Sequence, residues 1–410
     1  MVGKQAMFGS RKVSMQVNLK CLASVAAFAA VAASSASQAE EWKLRKSFRL
    51  YGHFTPAVIS YDDGANRYNN AADNSYSPGR IGFWLELPSR KGRTRFNLET
   101  SLGLRQSSSL NQLVIPPLVD LDRATLRKLE FIFDTDRFGS FSFGQGSMGS
   151  DGVTESDLSG TQLAAYVGIA DTAGGYSFRT GAGTLSTVTV SEAYPTFDGG
   201  RAPRIRWDSP DLVLSRLGTF KVAASAGVEV KDGRLTVNDT LGDVGVFYRN
   251  RVGAFEFKSS GGFSVASVDG ALKPQASGSF SLLHSETGLS ASLAVGARQD
   301  GGQYTYTKIA LKRHWIDWGD TSVSIDYYNG VDTVESGSLA ESFGIGLVQN
   351  LDRSNLQFYL GFRRYTFDSP KVIAYRPANS IIFGTRWVFK KLETARFGKG
   401  RSEVDWNEGE

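Results

Sequence analysis

Two sets of charged residues in this sequence could act on passing ions or solutes. The longest polar connection, Ser147–Pro203, carries four carboxylates in its first part: Asp151, Glu155, Asp157 and Asp171. Elsewhere, arginines alternate with apolar residues at Arg49, Arg80, Arg95, Arg105, Arg123, Arg204 and Arg206. Carboxylates that face guanidinium groups across a narrow aqueous gap create a transverse field, which selects solutes by charge, dipole and size. We therefore treat both sets as candidates for a pore constriction.

The same charges could also be ordinary solvated side chains, and the sequence leaves both interpretations open. Signals for enzymatic chemistry are weak. The three histidines, His53, His284 and His314, lie far apart, and neither a metal-binding HExxH spacing, a GxSxG elbow nor a Walker loop occurs. We therefore expect neither an enzyme nor a bound cofactor or metal.

These residues are predicted to lie on β-strands or on the connections between them. In the segment 356–363, Leu356, Phe358, Leu360 and Phe362 share one face, and Gln357, Tyr359 and Arg363 share the other. The same alternation predicts about sixteen strands, at Phe48–Val58, Arg80–Leu87, Arg95–Arg105, Arg123–Phe133, Ser140–Gly146, Arg204–Asp208, Thr219–Val230, Leu241–Arg249, Ala254–Ala266, Ala276–His284, Leu289–Arg298, Tyr304–Trp315, Thr321–Tyr328, Ala340–Asn350, Leu356–Phe367 and Ser380–Phe389.

Short and long connections alternate along the chain. Asp134–Gly139 and Leu351–Asn355 are short, whereas Tyr61–Gly79, Lys231–Thr240 and Ser267–Gln275 are longer and polar. This alternation is typical of an up-and-down barrel with one rim on each side of a membrane. The fold class we predict is all-β, a transmembrane antiparallel up-and-down β-barrel with its apolar face in lipid. A soluble β-sandwich has the same period, but this many strands would need several domains and linkers.

The N-terminus has the features of an export signal. Basic residues precede the apolar run Leu22–Ala33, and Ser37-Gln38-Ala39 fits a cleavage site, so residues 1–39 are predicted to be a signal peptide. Its removal takes away four basic residues, no acidic ones and Cys21, the only cysteine, and lowers the formal net charge from +5 to +1. We therefore expect no nucleic-acid partner. The predicted organisation continues with a barrel domain, residues 40–389, and a charged periplasmic tail, residues 390–410.

Several stretches resemble the general, trimeric diffusion porins of Gram-negative outer membranes. The segments that carry the resemblance are Phe48–Phe54, Arg80–Phe83, Phe138–Gly144 and Arg204–Pro210. The resemblance implies that the third loop, the long connection Ser147–Pro203, folds into the barrel and narrows it. Two features depart from the family pattern. Gln145 stands where the family often has an arginine, and Phe389 is followed by a tail although porins usually end on phenylalanine.

We therefore predict an outer-membrane porin, a water-filled channel for passive diffusion of small hydrophilic solutes and ions. The resemblance implies a homotrimer embedded in outer-membrane lipid. Two alternatives remain open at this point. One is a porin selective for sugars or anions, which the many arginines would suit. The other, less favoured, is an outer-membrane barrel that acts as an adhesin or an enzyme.

Overall fold

The computed structural model describes residues 48–89, 92–121, 125–231, 234–268, 270–299, 301–372 and 374–390. The predicted signal peptide, residues 391–410 of the predicted tail, and Arg123 lie outside the described residues. Phe48–Lys390 is therefore the part of the chain whose architecture can be compared with the sequence predictions.

Strands make up most of the described residues. The strands are β1 (Phe48–Phe54), β2 (Pro56–Asp62), β3 (Arg67–Asp73), β4 (Arg80–Ser89), β5 (Gly92–Ser101), β6 (Leu126–Thr135), β7 (Gly139–Ser147), β8 (Ser177–Arg179), β9 (Leu185–Thr189), β10 (Arg201–Asp208), β11 (Leu212–Val213), β12 (Thr219–Lys231), β13 (Arg234–Val252), β14 (Phe255–Val268), β15 (Ala271–His284), β16 (Leu289–Arg298), β17 (Gln303–Ile316), β18 (Gly319–Val331), β19 (Leu339–Leu351), β20 (Leu356–Asp368) and β21 (Ala378–Lys390). Helical segments are short: α1 (Val190–Ala193) and 3₁₀ turns at Ser107–Ser109, Ile169–Asp171, Ser215–Leu217 and Asp352–Ser354.

Sixteen antiparallel strands close into a barrel, which confirms the predicted fold class. β1 and β2 act as one wall strand interrupted at Thr55: β1 pairs with β4 and β21, and β2 pairs with β3 and β21. The wall continues through β4–β7, β10 and β12–β21. The pairing of Phe54 with Trp387 and of Ala57 with Gly384 joins the last strand to the first. The predicted last strand is therefore confirmed as a wall strand.

The wall has a short side and a tall side. β4, β5 and β6 have 10 residues each, β7 has 9 and β10 has 8, whereas β12–β15 have 13 to 19. A tilted strand of about 10 residues is enough to cross a bilayer. The long polar connections predicted at 231–240 and 267–275 are wrong, since β13 begins at Arg234 and β15 at Ala271. Both strands begin in polar segments where the alternation of apolar residues is too short to predict a strand.

The two faces of the wall differ as the alternation predicts. On β20, Phe358, Leu360 and Phe362 are 36%, 47% and 37% exposed and point outward, whereas Tyr359 and Arg363 are buried on the inner face. The inward side chains of β20 therefore pack against other protein groups rather than line open water. Among the described residues, no helix combines the length and apolar character needed to cross a bilayer.

Candidate functional site

The third loop, residues 148–200 between β7 and β10, lies inside the barrel. Its first part follows the inner wall from β13 to β15. The backbone amide of Ser150 donates to Asp243 Oδ2 at 2.7 Å. Further along, the amides of Ser156 and Leu158 donate to the hydroxyls of Ser279 and Ser281 at 2.9 and 3.1 Å. Wall side chains thus satisfy loop backbone groups that water would otherwise have to solvate.

Small residues on the wall allow this close approach. At Gly245 a Cβ atom would lie 2.3 Å from Gly149 O, and at Gly346 it would lie 2.7 Å from the Ala165 Cβ. At Gly361 it would lie 2.7 Å from Ala164 O. Larger side chains at these positions would displace the loop from the wall, so the glycines form a seat for its backbone.

The second part of the third loop is fixed by an aromatic core within the barrel. Tyr176, Phe178 and Tyr194 from the loop are fully or almost fully buried. They pack with wall aromatics: Tyr61 stacks on Tyr176 at 4.1 Å between ring centroids, and Phe367 stacks on Phe178 at 5.4 Å. The loop is therefore a packed element rather than a loose flap, because burial of these rings stabilises one arrangement.

Asp157, one of the predicted constriction carboxylates, is used to anchor the loop. It is buried and forms an ion pair with the buried Lys308 of β17. Lys308 Nζ also donates to Ala165 O at 3.0 Å, and Asp157 Oδ1 accepts from the amide of Ser159 at 2.8 Å. Charge and hydrogen bonds are both satisfied within this pair, so Asp157 offers little net charge to the lumen.

The other predicted carboxylates, together with Asp198, form a half-buried acidic group. Asp198 accepts from the amides of Gly152 and Thr154 at 3.1 and 3.3 Å. Burial, then the charges on Glu155 and Asp151, raise the pKa of Asp198 well above its ordinary range. Burial, then the charge on Glu155, raise the pKa of Asp171 to about 8. Mutual repulsion and loss of solvent therefore oppose full ionisation of this group.

Most of the predicted wall arginines are paired with carboxylates on the same wall. The pairs that contain a predicted arginine are Arg80–Glu99 at 3.7 Å, Arg95–Asp134 at 2.8 Å, Arg206–Asp208 at 2.8 Å, and Arg204–Glu130. Asp151 is also close enough to Arg206 to act on it electrostatically. The field from each arginine is therefore partly cancelled at the wall.

Two described arginines of the predicted set lie apart from these pairs. Arg49 is exposed on the face of β1 that also carries Tyr51 and His53. Arg105 lies beyond the end of β5, and its guanidinium donates to Ala71 O at 2.5 and 3.1 Å and to Pro116 O at 2.6 Å. Arg105 thus holds loop backbone in place. The sequence predicted a strand that continues to residue 105 with this side chain on the inner face, but β5 ends at Ser101.

Sequence reasoning missed Lys308 and Asp198. Lys308 shares the inward parity of Tyr304 and Tyr306, so its position in β17 was available as a signal. Asp198 gave no signal, because it is far from Asp151 in sequence and the return path of the loop cannot be deduced from periodicity.

Within the described part of the chain, no three His, Cys, Asp or Glu side chains are placed to hold a metal ion. The arrangement instead puts a carboxylate-bearing loop inside a barrel whose wall carries guanidinium groups. This geometry can narrow a water-filled path and act on ions by charge and size.

Comparisons with known proteins agree with this geometry. A family model described as Gram-negative porin matches residues 24–370. The fold is similar to the anion-selective porin from Comamonas acidovorans (15% identity, 84% of this chain and 99% of that chain, TM-score 0.54). It is also similar to Pseudomonas putida OprB (10% identity, 84% of this chain and 95% of that chain, TM-score 0.56). A third similar structure is Salmonella typhi OmpF in complex with daunomycin (11% identity, 83% of this chain and 97% of that chain, TM-score 0.53). A comparison with curated protein sequences gave no match.

Proposed function

This chain belongs to the family of Gram-negative porins and forms a channel in the outer membrane, and we propose that small hydrophilic solutes and ions cross it passively. The observation that carries this proposal is the third loop inside the barrel. Its half-buried Asp151, Glu155 and Asp171 lie within a lumen whose wall carries Arg80, Arg204 and Arg206. Solutes would pass between the loop and the short side of the wall, where size and charge select them.

A channel selective for anions or sugars is the second candidate. The Comamonas acidovorans protein with the same fold is described as anion-selective. In this chain, however, most wall arginines are paired with carboxylates, which weakens a general excess of positive charge. The family and the fold indicate a channel rather than an enzyme. An adhesin has no specific support in the described residues.

The short side of the wall supports a homotrimer. Its outward face carries a row of phenylalanines, with Phe48–Phe83, Phe83–Phe96 and Phe96–Phe131 ring centroids 5.4, 5.9 and 4.9 Å apart. The connection between β5 and β6 adds Leu113, Val114 and Ile115, which are 82%, 61% and 56% exposed. Lipid can cover the phenylalanines of the wall, but exposed apolar side chains on a connection between strands are unfavourable in water unless another protein covers them. A second copy of the chain, repeated by threefold symmetry, would do so.

The domain organisation is part of the same proposal. We infer that residues 1–39 direct export and are removed, that residues 40–389 contain the barrel, and that residues 390–410 extend into the periplasm. Support for the first inference comes from the basic and apolar pattern before Ala39, and for the last from the charged composition after Phe389.

Planar-bilayer recordings of the purified protein test the proposed channel. We expect stepwise conductance in KCl, with each inserted unit closing in three equal steps if it is a trimer. Replacement of Glu155 by Gln together with Asp151 by Asn should shift the reversal potential in a salt gradient toward chloride. A relative permeability change of about twofold is expected from two lumen charges in water.

Asp368→Asn is the matched control, because this exposed carboxylate lies on the outward face of β20. It should leave the reversal potential unchanged. Wild-type protein that inserts without conducting would contradict the channel. An equal shift in Asp368→Asn would contradict the role of the loop carboxylates.

A further inference from the structure

The bridging segment, residues 107–115 between β5 and β6, contacts the third loop with its first half and is exposed with its second half. Ser107 and Leu110 are fully buried, and Leu110 belongs to the same core as Tyr176 of the loop. Ser107 Oγ donates to the backbone oxygen of Asp171 at 2.7 Å. The first half is therefore part of the packing that holds the second part of the third loop.

Gln112 makes the most specific contact of this half. Its side-chain amide binds both backbone groups of Ser177, the first residue of β8. Gln112 Nε2 donates to Ser177 O at 2.7 Å, and Ser177 N donates to Gln112 Oε1 at 3.0 Å. Close by, a Cβ atom at Gly175 would lie 2.7 Å from Leu110 O, so the two backbones are in contact. The bridging segment and the β8–β9 hairpin are thus held together as one unit.

The second half of the bridging segment is ordered by its own hydrogen bonds. Asn111 Oδ1 accepts from the amides of Leu113 and Val114 at 2.8 and 2.7 Å, which closes a turn directly after the buried half. No charged residue occurs from Leu113 to Val119. The apolar side chains that this part of the connection exposes, each by 47% to 82%, are Leu113, Val114, Ile115, Leu118, Val119 and Leu121. A fixed apolar surface is therefore presented only one residue beyond the contact with the loop.

A second copy of the chain is the occupant that this surface favours. The connection leaves β5 and returns to β6, and the outward Phe96 and Phe131 of these strands belong to the phenylalanine row of the proposed interface between copies. The exposed surface is thus continuous along the chain with that row. Another copy presents both surfaces again by symmetry.

We propose that the bridging segment couples contact between copies of the chain to the position of the third loop. A second copy that covers Leu113 and Val114 fixes the turn next to Gln112, and Gln112 holds the β8–β9 hairpin. The inference rests on the proposed channel and homotrimer and deepens them by naming how association acts on the pore. Coupling between two sites is reciprocal. The packed loop therefore also orders the surface that the second copy contacts.

Hydrogen–deuterium exchange of the purified protein in detergent, read by mass spectrometry, measures how firmly the loop is held. Leu113→Asp places a charge in the apolar surface, and because this side chain is 82% exposed, the barrel itself should fold normally. We expect the variant to dissociate the oligomer on a native gel. Exchange of residues 172–189 should then rise by at least about fivefold, the lower end of the range for coupled sites. Residues 148–160 should not change, since β13–β15 hold them separately.

Gln112→Ala separates the contact with the loop from the contact with the second copy. It removes both hydrogen bonds to Ser177 and should by itself raise the exchange of residues 172–189. Leu113→Asp added to Gln112→Ala should dissociate the oligomer without a further rise. Leu272→Asp is the matched control, because this leucine is 71% exposed on β15; it should change neither the oligomer nor the exchange.

The possible outcomes separate the coupling from the homotrimer and from the channel. Wild-type exchange of residues 172–189 in a Leu113→Asp variant that has dissociated would overturn the coupling and leave the homotrimer. An oligomer that survives Leu113→Asp would overturn the contact between copies at this surface. An equal rise with and without Gln112 would show that the coupling does not pass through this side chain. Wild-type protein without conductance in planar bilayers would overturn the channel function, which the exchange measurements do not test.

Discussion

The two sides of the barrel lumen are built from different residues. On β14–β19 the inward residues that meet the third loop are mostly small, such as Ser279, Ser281 and Gly346, and loop backbone lies directly on them. On β4–β7 and β10 the inward residues are long and charged, and they pair along the wall, as Arg204 does with Glu130. The first side is a seat for the loop, and the second is a charged surface left facing it.

This difference explains where the loop can and cannot lie. Glycine and serine leave space for a backbone and provide hydroxyl partners for its amides. On the other side, the paired and almost fully buried arginines and glutamates, such as Arg204 with Glu130, fill the space next to the wall and leave little room for a loop backbone. The loop therefore lies along the seat.

The largest expected effect comes from breaking the ion pair that fastens the loop to the seat. Lys308→Met leaves the buried Asp157 without its partner, and removal of one member of a buried pair costs about 3–5 kcal/mol. We expect a matching loss in the free energy of unfolding, measured by denaturant titration, and larger current fluctuations in single-channel recordings.

Two variants distinguish loss of the Lys308–Asp157 ion pair from a general effect of removing a lysine. Lys312→Met, on the same strand, should be nearly neutral. Lys308→Met combined with Asp157→Asn should recover much of the lost stability, because no uncompensated charge remains. If Lys312→Met were as destabilising as Lys308→Met, the ion pair would not be what holds the loop.

A smaller effect is expected when a side chain is added to the seat. Gly346→Val would place atoms where Ala165 Cβ and Ala164 Cβ already lie, 2.7 and 3.3 Å from the Cβ position. Overpacking of this kind costs about 1–3 kcal/mol. The valine should push the loop toward the opposite wall, so single-channel conductance should fall. Gly242→Val is the matched control, since nothing lies within 4 Å of its Cβ position; equal conductance in both variants would contradict a seat at Gly346.

The sequence allowed the barrel and its strand count to be predicted, because alternation of period two is a local property of each strand. It also located the third loop, because a polar connection as long as 148–200 is uncommon without a function. The strand ends at Arg234 and Ala271 could not be predicted, since the apolar alternation next to them is too short.

The ion pairs on the inner face of the barrel could not be predicted from the alternation of side chains along each strand. The alternation of side chains places Arg80 and Arg204 on the inner face. It does not show which carboxylate on the neighbouring strand lies next to each arginine. Glu99 and Glu130 stand on the same face and neutralise those arginines. Whether an inward charge faces solutes thus depends on strand register and on the path of the loop, which are both nonlocal.

The smallest expected effect concerns the pH dependence of selectivity on the loop side. A carboxyl group with a raised pKa is neutral below that pKa and charged above it, so Asp171, with its pKa near 8, gains its charge as the pH rises from 7 to 9. Burial and the charge on Glu155 oppose that ionisation. The potassium-to-chloride permeability ratio should therefore rise by about twofold over this range.

Asp171→Asn should remove this pH-dependent rise, because no group titrates at that position. Reversal potentials measured at each pH decide the matter: a flat profile in the wild type, or the same step in Asp171→Asn, would show that this carboxyl does not act on the permeating ions.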